Sequence, residues 1–496
     1  MAPTNMPARS SRIWIDVEDF FDYARHVGRP SGIQRLAFEI YRDLQARFGA
    51  TGQIVFFVHD GPSITEVDYA EIAALFDRLT TAPSKANSSV SLSPDDAESG
   101  QSVSRRLYRR LPYGLRPLVK DAVFAQRHAF HAWDRLIRNL VRGLMLRVAP
   151  SLVRARGPAA DAPPPAQDGL PATAAAAREM APGDIIFILG SPWSNERYAD
   201  FLREQKQRHG VKAVLLVYDL IPVRRPEWCD ATLVKLFTGW MHAVAPLCDQ
   251  VFAISRYSAE DFDLYAREQG WTHLAPAIPI PIGTGFGDAP ARPKEPVRPA
   301  KMPTGDYVLI VSTIEARKNH LLLFRVWRRL LEEMPADEVP TLVFAGRVGW
   351  LVADLMQQMK NAGFLGGKLV VIEGPSDDEL ATLYEGCLFT LFPSFFEGWG
   401  LPVTESLAAG KPCLISNRTS LPEAGGGFAR AFDPDDLNDA YRVIQAAFTD
   451  RAGLAAWEED IRSRFRPVPW SRASDALLEG IAHPLAPSRQ DPAQLR

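Results

Sequence analysis

The residues best suited to chemistry lie in one stretch, 395–410, in which two glutamates flank a glycine-rich turn. Glu397 stands in the turn, and Glu405 follows eight residues later in a segment that begins with a proline, which suits the first helical position. The apolar run before the turn, 388–392, has the length of a buried strand. Free amides at a helix start attract phosphate, so we predict that a diphosphate binds the backbone of Gly398, Trp399, Gly400 and Leu401.

The two glutamates would complete such a site. We predict that Glu397 orients a sugar and that Glu405 binds the pair of hydroxyls on a ribose. The plainer alternative is a tight strand–turn–helix connection with two solvated glutamates, and the spacing by itself does not exclude it.

A basic pair supplies the charge that a departing diphosphate would need. Arg317 and Lys318 follow a predicted strand that ends at Thr313, and they would project into the same cleft as the turn. Arginine can bind phosphate through two N–H groups, and lysine acts as a point charge. A basic pair before a helix is commonly only solvated, so the prediction depends on its position at the end of the strand.

Two positions in the N-terminal half are predicted to face this site. Asp219 closes the strand 212–219 and would orient the hydroxyl of an acceptor, although an aspartate there can equally cap the next helix. Gly32 lies in the loop between a first strand, 12–17, and a helix predicted over 33–48. Free amides near Gly32 would face the diphosphate, although most such loops bind nothing.

Strands and helices alternate in both halves of the chain, which predicts an α/β protein with parallel, doubly wound sheets. Ligands bind such sheets at the carboxyl ends of the strands, where the candidate residues fall. The C-terminal half has the clearer pattern. Its predicted strands are 307–312, 341–346, 369–373, 388–392 and 413–416.

The bulk composition is that of an ordinary globular protein. The 496 residues are too many for one core and predict two domains. A formal net charge of −3 gives no reason to expect nucleic acid as a partner. The four cysteines show no CxxC spacing, so we expect free thiols. No histidine or cysteine cluster has metal spacing, so we expect no metal ion, and we also expect no cofactor. Without an apolar leader or a run of roughly 20 apolar residues, we expect a cytoplasmic protein.

An insertion, 82–181, interrupts the N-terminal half. Its flanks are rich in Ser, Asp, Ala and Pro, and a basic amphipathic segment lies between them within 104–156. Such a helix can lie on an anionic membrane, at the inner face of the plasma membrane, or can pack on the N-terminal domain. The predicted boundaries are 11–286 for the N-terminal domain, 287–305 for a linker, 306–466 for the C-terminal domain, 467–484 for a closing helix that returns to the N-terminal domain, and 485–496 for a tail.

The motifs together resemble those of a known enzyme family. EGWGLPVTE, AAGKPCLISNRTSLPEAGG and, upstream, VSTIEARKNH, FAGRVGW and GPSDDELATLYEGC resemble the retaining nucleotide-sugar glycosyltransferases of family 4. The resemblance is greatest to the bacterial mannosyltransferases of O-antigen and other surface polysaccharides. It covers 306–448 and is weaker in PSGIQR and YDLIPVRRPE. It implies the GT-B fold, in which two Rossmann-like, doubly wound domains face each other across a cleft, here with the basic helical insertion in the first domain.

The family's activity implies roles for the candidate residues. A hexose, with GDP-mannose as the favoured nucleotide-sugar donor, would pass with retention of configuration to a polysaccharide or lipid-linked saccharide, without a metal ion. Lys318 matches the phosphate-binding lysine, Arg317 would replace a second cation that this chain lacks, and Tyr218 stands where relatives often have histidine. The donor phosphate could take the acceptor proton in a front-face attack, or Glu397 could act as the nucleophile of a double displacement.

Two other functions are compatible with parts of this pattern. A nucleotide-sugar epimerase or a phosphorylase would keep the fold and change the reaction. A catalytically silent scaffold or glycan-binding protein at the membrane would keep the fold without the reaction. The presence of Lys318, Glu397 and Glu405 together favours the transferase.

Overall fold

The computed structural model of the chain describes residues 11–26, 31–61, 63–81, 178–285 and 297–482. The predicted amphipathic segment within 104–156 and the predicted tail, 485–496, lie outside these residues, as does most of the insertion. The first ten residues of the predicted 287–305 linker lie outside them as well.

Seven strands form the N-terminal sheet, in the order β3-β2-β1-β4-β5-β6-β7. Neighbours pair in parallel, except that the edge strand β3 pairs antiparallel with β2. The strands are β1 (Ile13–Asp16), β2 (Ile54–Asp60), β3 (Ser63–Val67), β4 (Ile185–Ile188), β5 (Lys212–Val217), β6 (Gln250–Ala253) and β7 (Ile278–Pro279).

Six strands form the C-terminal sheet, in the order β10-β9-β8-β11-β12-β13, and all of its pairs are parallel. Two parallel, doubly wound sheets in one chain confirm the predicted GT-B fold. The strands are β8 (Tyr307–Val311), β9 (Thr341–Ala345), β10 (Leu369–Ile372), β11 (Thr390–Phe392), β12 (Cys413–Ser416) and β13 (Arg430–Phe432).

Helices cover both faces of each sheet, as buried parallel strands require. Those of the N-terminal half are α1 (Glu18–His26), α2 (Gly32–Phe48), α3 (Tyr69–Thr81), α4 (Tyr198–His209), α5 (Ile221–Arg224), α6 (Ala231–Val244) and α7 (Arg256–Glu268). Those that follow are α8 (His320–Glu333), α9 (Ala353–Asn361), α10 (Asp377–Gly386), α11 (Leu401–Ala408), α12 (Leu421–Gly425), α13 (Leu437–Thr449), α14 (Arg451–Arg464) and α15 (Ser471–Ala482).

Element boundaries differ slightly from those predicted. The strand predicted over 388–392 begins at Thr390, because it pairs with β12 and β8 only from that residue. The helix predicted to start at Ile33 includes Gly32, since Ser31 caps it.

The last helix, α15, packs on the N-terminal sheet. Its Ala473, Leu477 and Leu478 are fully buried in one core with side chains of β1 and α2. The indole of Trp470 donates a hydrogen bond of 2.8 Å to the carbonyl of Gly285. The domain boundaries given above stay a prediction.

The two domains touch at the carboxyl ends of their strands. Arg35 of α2 forms an ion pair of 2.9 Å with Asp377 of α10. The ring of Trp228 stacks on Phe395, with centroids 5.5 Å apart and an interplanar angle of 12°. The indole of Trp350 donates a bond of 2.9 Å to the Trp228 carbonyl. An aromatic group therefore joins the domains next to the predicted site.

The described helices bear on the membrane prediction in one respect. Within the ranges given above, none has both the length and the apolar character that a membrane span needs.

The four cysteines carry free thiols, and burial raises the pKa of Cys248, Cys387 and Cys413 to about 12.

We predict that Leu477→Ala lowers the free energy of unfolding by about 2–5 kcal/mol, because it leaves a cavity where α15 meets the N-terminal core. Urea unfolding measures the loss. Leu264→Ala is the matched control, since Leu264 on α7 is 46% exposed. Equal stability of the two variants would contradict the packing of α15.

Candidate active site

The turn between β11 and α11 is built around two glycines. Gly400 has φ of 110°, in the left-handed region, and a Cβ atom there would lie 2.7 Å from the Leu421 side chain. A Cβ atom on Gly398 would overlap the carbonyl oxygen of Tyr218 in the N-terminal domain. Glycine at these positions lets the turn reach across to the other domain.

The backbone amides of this turn are free to bind an anion. Among the residues that the structure describes, none of the N–H groups of 398–401 donates a hydrogen bond. They lie at the N-terminus of α11, an eight-residue helix whose dipole also favours negative charge. The feature predicted for diphosphate binding is therefore present in the backbone, and the binding itself stays a prediction.

Glu397 meets both predicted cations. Its carboxylate lies 2.5 Å from the Lys318 ammonium and 2.8 Å from the Arg317 guanidinium. The same guanidinium lies 2.7 Å from Glu315 and donates to the carbonyl of Phe396. All of these side chains are at least four-fifths buried, so the structure brings together three of the residues predicted for catalysis.

The ion pairs set the protonation state of Glu397. Burial alone would raise the pKa of this carboxyl, but the charges of Arg317 and Lys318 outweigh it and lower the pKa to about 2. Burial would lower the pKa of Arg317, while Glu397, Glu315 and Asp219 raise it above its ordinary value. Glu397 is thus an anion and Arg317 a cation at any physiological pH.

Two further side chains fix the turn, and the sequence prediction did not include them. The hydroxyl of Thr419 accepts a bond of 3.0 Å from the amide of Glu397. The hydroxyl of Ser420 lies 2.9 Å from the carbonyls of both Glu397 and Trp399. Their motif, SNRTSLPEAGG, carried the family resemblance, but its letters do not say that these hydroxyls contact the Glu397 turn.

Glu405 lies apart from the charged group. It accepts a hydrogen bond of 2.9 Å from the hydroxyl of Tyr384. Burial raises its pKa, which the Tyr384 bond and the charge of Arg35 only partly offset. The half-buried carboxylate is available to hydroxyl groups, and its role toward a ribose stays a prediction.

Asp219 lies beside the charged group and contacts the start of a helix. Its carboxylate accepts a bond of 3.0 Å from the amide of Ile221, the first residue of α5, although the N-cap position itself is Leu220. Burial raises its pKa, and the nearby charge of Arg317 opposes that shift. Its role toward an acceptor stays a prediction.

Gly32 faces the turn, but its loop differs from the prediction. A Cβ atom on Gly32 would lie 3.6 Å from the Leu401 side chain. The amides of Ser31 and Ile33 are not free, because Ser31 and Gln34 form a capping box at the start of α2. The prediction of several free amides here is wrong, and within the described residues Gly32 alone of these three keeps an unused N–H group.

Three carboxylates at the carboxyl end of β1 were missed. Burial raises the pKa of Asp16 and of Asp19 to about 6, and burial together with the charge of Asp16 raises that of Glu18 to about 8. Tyr198 donates to Asp16 at 2.5 Å. The signal existed in the sequence, since acidic residues directly follow a buried strand, as the C-terminal candidates do.

The described residues also bear on metal binding. In the part of the chain that the structure describes, no group of three His, Cys, Asp or Glu side chains is arranged to hold a metal ion. Metal independence itself stays a prediction.

We predict that Glu397→Gln lowers the free energy of unfolding at pH 7 by about 3 kcal/mol, because it leaves Lys318 without its counter-charge and removes one of the two carboxylates that pair with Arg317. Glu397 has a folded pKa of about 2 against an ordinary 4.5, so its stabilisation is present above pH 4.5 and is lost as the pH falls toward 2. Urea unfolding at pH 7 and at pH 3 should show that the native protein and Glu397→Gln differ less in free energy of unfolding at pH 3. Glu405→Gln is the control, since its carboxyl has a raised pKa and should lose much less at pH 7.

The carboxylates after β1 predict the opposite pH dependence. Glu18 has a folded pKa of about 8 against 4.5, so its stabilising contribution is complete below pH 4.5 and is lost as the pH rises to about 8. We expect Tm to fall over this range and Glu18→Gln to reduce that fall. Thermal unfolding followed from pH 5 to pH 9 tests this, and a Tm profile unchanged by the substitution would contradict it.

Comparison with known proteins gives relatives that transfer sugars. The chain is 26% identical over 290 residues to the serotype-specific mannosyltransferase WbdA of Escherichia coli, covering 57% of this chain and 35% of that protein. It is 33% identical over 158 residues to the O-antigen chain mannosyltransferase B of Escherichia coli, covering 32% and 40%. The chain thus spans two fifths or less of the length of these relatives.

Solved structures similar to the chain include that of TarM, with 14% identity, a TM-score of 0.42 and coverage of 60% of this chain and 53% of that one. This score is low, so the fold assignment depends on the sheet topology alone. Residues 291–464 match the family model described as glycosyl transferases group 1. The match confirms the resemblance drawn from the motifs, because residues 291–464 include the segments that carry most of it.

Proposed function

We propose that the protein is a hexosyltransferase that moves a sugar from a nucleotide diphosphate to a saccharide. One observation carries the proposal: a lysine and an arginine meet a buried glutamate beside free amides at a helix N-terminus. The leaving group of such a transfer is a diphosphate, and cations and oriented amides stabilise the charge that develops on it.

Each residue of the charged group has a distinct role in this proposal. As the bond between the sugar carbon and the phosphate oxygen breaks, Lys318 and Arg317 neutralise the departing diphosphate, and the amides of 398–401 hold its oxygens. Glu397 keeps both cations in place and orients the sugar. Asp219 lies on the acceptor side and orients the attacking hydroxyl.

The ion pairs favour one of the two mechanisms. A carboxylate whose pKa is about 2 and which two cations hold is a poor nucleophile and a poor base. We therefore favour front-face attack with retention, in which the donor phosphate takes the acceptor proton, over double displacement through Glu397.

The donor and the acceptor are proposed from the relatives. Both are named as mannosyltransferases, and one is named for the O-antigen chain. We take GDP-mannose as the donor, a growing surface polysaccharide or its lipid-linked precursor as the acceptor, and the inner face of the plasma membrane as the site of action, with membrane contact through 104–156.

We predict that GDP and GDP-mannose raise Tm of the purified protein more than UDP, dTDP or their sugar conjugates. A ligand at about 100 times its Kd stabilises the folded state by about 2.7 kcal/mol. Lys318→Ala should abolish the shift, because it removes a cation that contacts the diphosphate, while Lys360→Ala on the exposed face of α9 should keep it. A native protein that no nucleotide stabilises would contradict the proposal.

A further inference from the structure

A groove in the N-terminal domain lies outside the charged group described above. It has a volume of about 210 Å³ and runs between α6 and the loop that joins β4 to α4. Its size is below the roughly 300 Å³ at which pockets for drug-sized ligands begin. Residues that line it include Trp193, Asn195, Glu196, Lys235, Gly239 and Trp240.

The lining has the chemistry of a saccharide site. The ring of Trp193 is half-buried and held edge-on by Phe237, with centroids 4.9 Å apart, so it offers a fixed apolar surface. Glu196 and Lys235 are exposed, and no described residue forms an ion pair or hydrogen bond with either side chain. An aromatic surface beside free polar groups suits a ring with apolar faces and hydroxyl edges.

The helix that forms one wall of the groove contains a glycine. Gly239 lies in the middle of α6, where glycine lowers helix stability, and a Cβ atom there would meet nothing within 4 Å. Packing therefore does not require glycine at this position. Its absent side chain leaves space in the groove.

The groove also lies on the acceptor side. Its loop follows the carboxyl end of β4, the sheet edge that carries Asp219 after β5. The same loop is bonded to the start of α2, where Gln34 donates to Ser191 at 3.1 Å two residues after Gly32, which faces the Leu401 side chain. On the other wall, α6 begins three residues after Trp228, which stacks on Phe395 of the charged site.

From these contacts we propose that the groove binds one sugar ring of the acceptor glycan, away from the ring that receives the new residue. The inference rests on the proposed function, because it treats the acceptor as a chain of sugars. Such a subsite would fix the acceptor through a ring that does not react.

Isothermal titration calorimetry of the full chain with mannotetraose tests the groove without a donor. We expect binding to the native protein, Kd raised about tenfold by Gly239→Phe, which fills the groove, and Kd unchanged by Gly239→Ala, which leaves it open. Gly305→Phe is a second control, since a Cβ atom there also meets nothing within 4 Å and the residue, just before β8, does not line the groove. Tm of both Gly239 variants at or above the native value shows that the fold is intact.

The outcomes separate the groove from the proposed function. Mannotetraose that binds equally well to Gly239→Phe, or not at all to the native protein, overturns the groove. Stabilisation by nucleotide sugars, measured on the same samples, reports on the donor site and should be the same in every Gly239 variant. If no nucleotide sugar raises Tm of the native protein while mannotetraose still binds to it, the proposed function is contradicted and the groove is not.

Discussion

Three charges removed from water, on Glu397, Lys318 and Arg317, hold together two loops that lie 79 residues apart in the chain. Taking such charges out of water costs free energy, and only close pairing offsets the cost. Glu397 therefore requires both cations and Lys318 requires Glu397, while Arg317 is also paired with Glu315. The same group holds the turn between β11 and α11 in the conformation that leaves the amides of 398–401 free. The ion pairs that stabilise the fold therefore also shape the proposed diphosphate site.

The contact between the two domains requires a glycine, because a side chain at Gly398 would overlap the Tyr218 backbone. The turn approaches the N-terminal domain only because Gly398 lies against the backbone of Tyr218. Ser258 strengthens this approach, since its hydroxyl lies 3.0 Å from the Tyr218 carbonyl and 3.3 Å from that of Gly398. The donor side and the acceptor side of the proposed reaction thus meet at one backbone contact.

The fold and the position of the charged residues were predictable because both follow from local patterns. Buried apolar runs alternate with amphipathic helices, and the carboxyl ends of parallel strands share one edge, so Glu397 and Lys318 were expected in the same cleft. Their ion pair also depends on β8 lying next to β11, which the sequence pattern does not determine. The rest depends on which hydrogen-bond partner each group finds, whether near or distant in the chain. The amides of Ser31 and Ile33 are used by a local cap, and the hydroxyls of Thr419 and Ser420 contact a turn more than twenty residues away. The carboxylates after β1 follow a buried strand as the predicted residues do, and only their burial, seen in the structure, distinguishes them from solvated acids.

The return of α15 to the N-terminal sheet has a consequence for the order of folding. Domains commonly fold in the order in which the ribosome makes them. Here the core around β1 and α2 lacks Leu477 and Leu478 until the whole C-terminal sheet has been synthesised. The C-terminal domain can complete its own core first, so the half of the protein that is translated first is completed last.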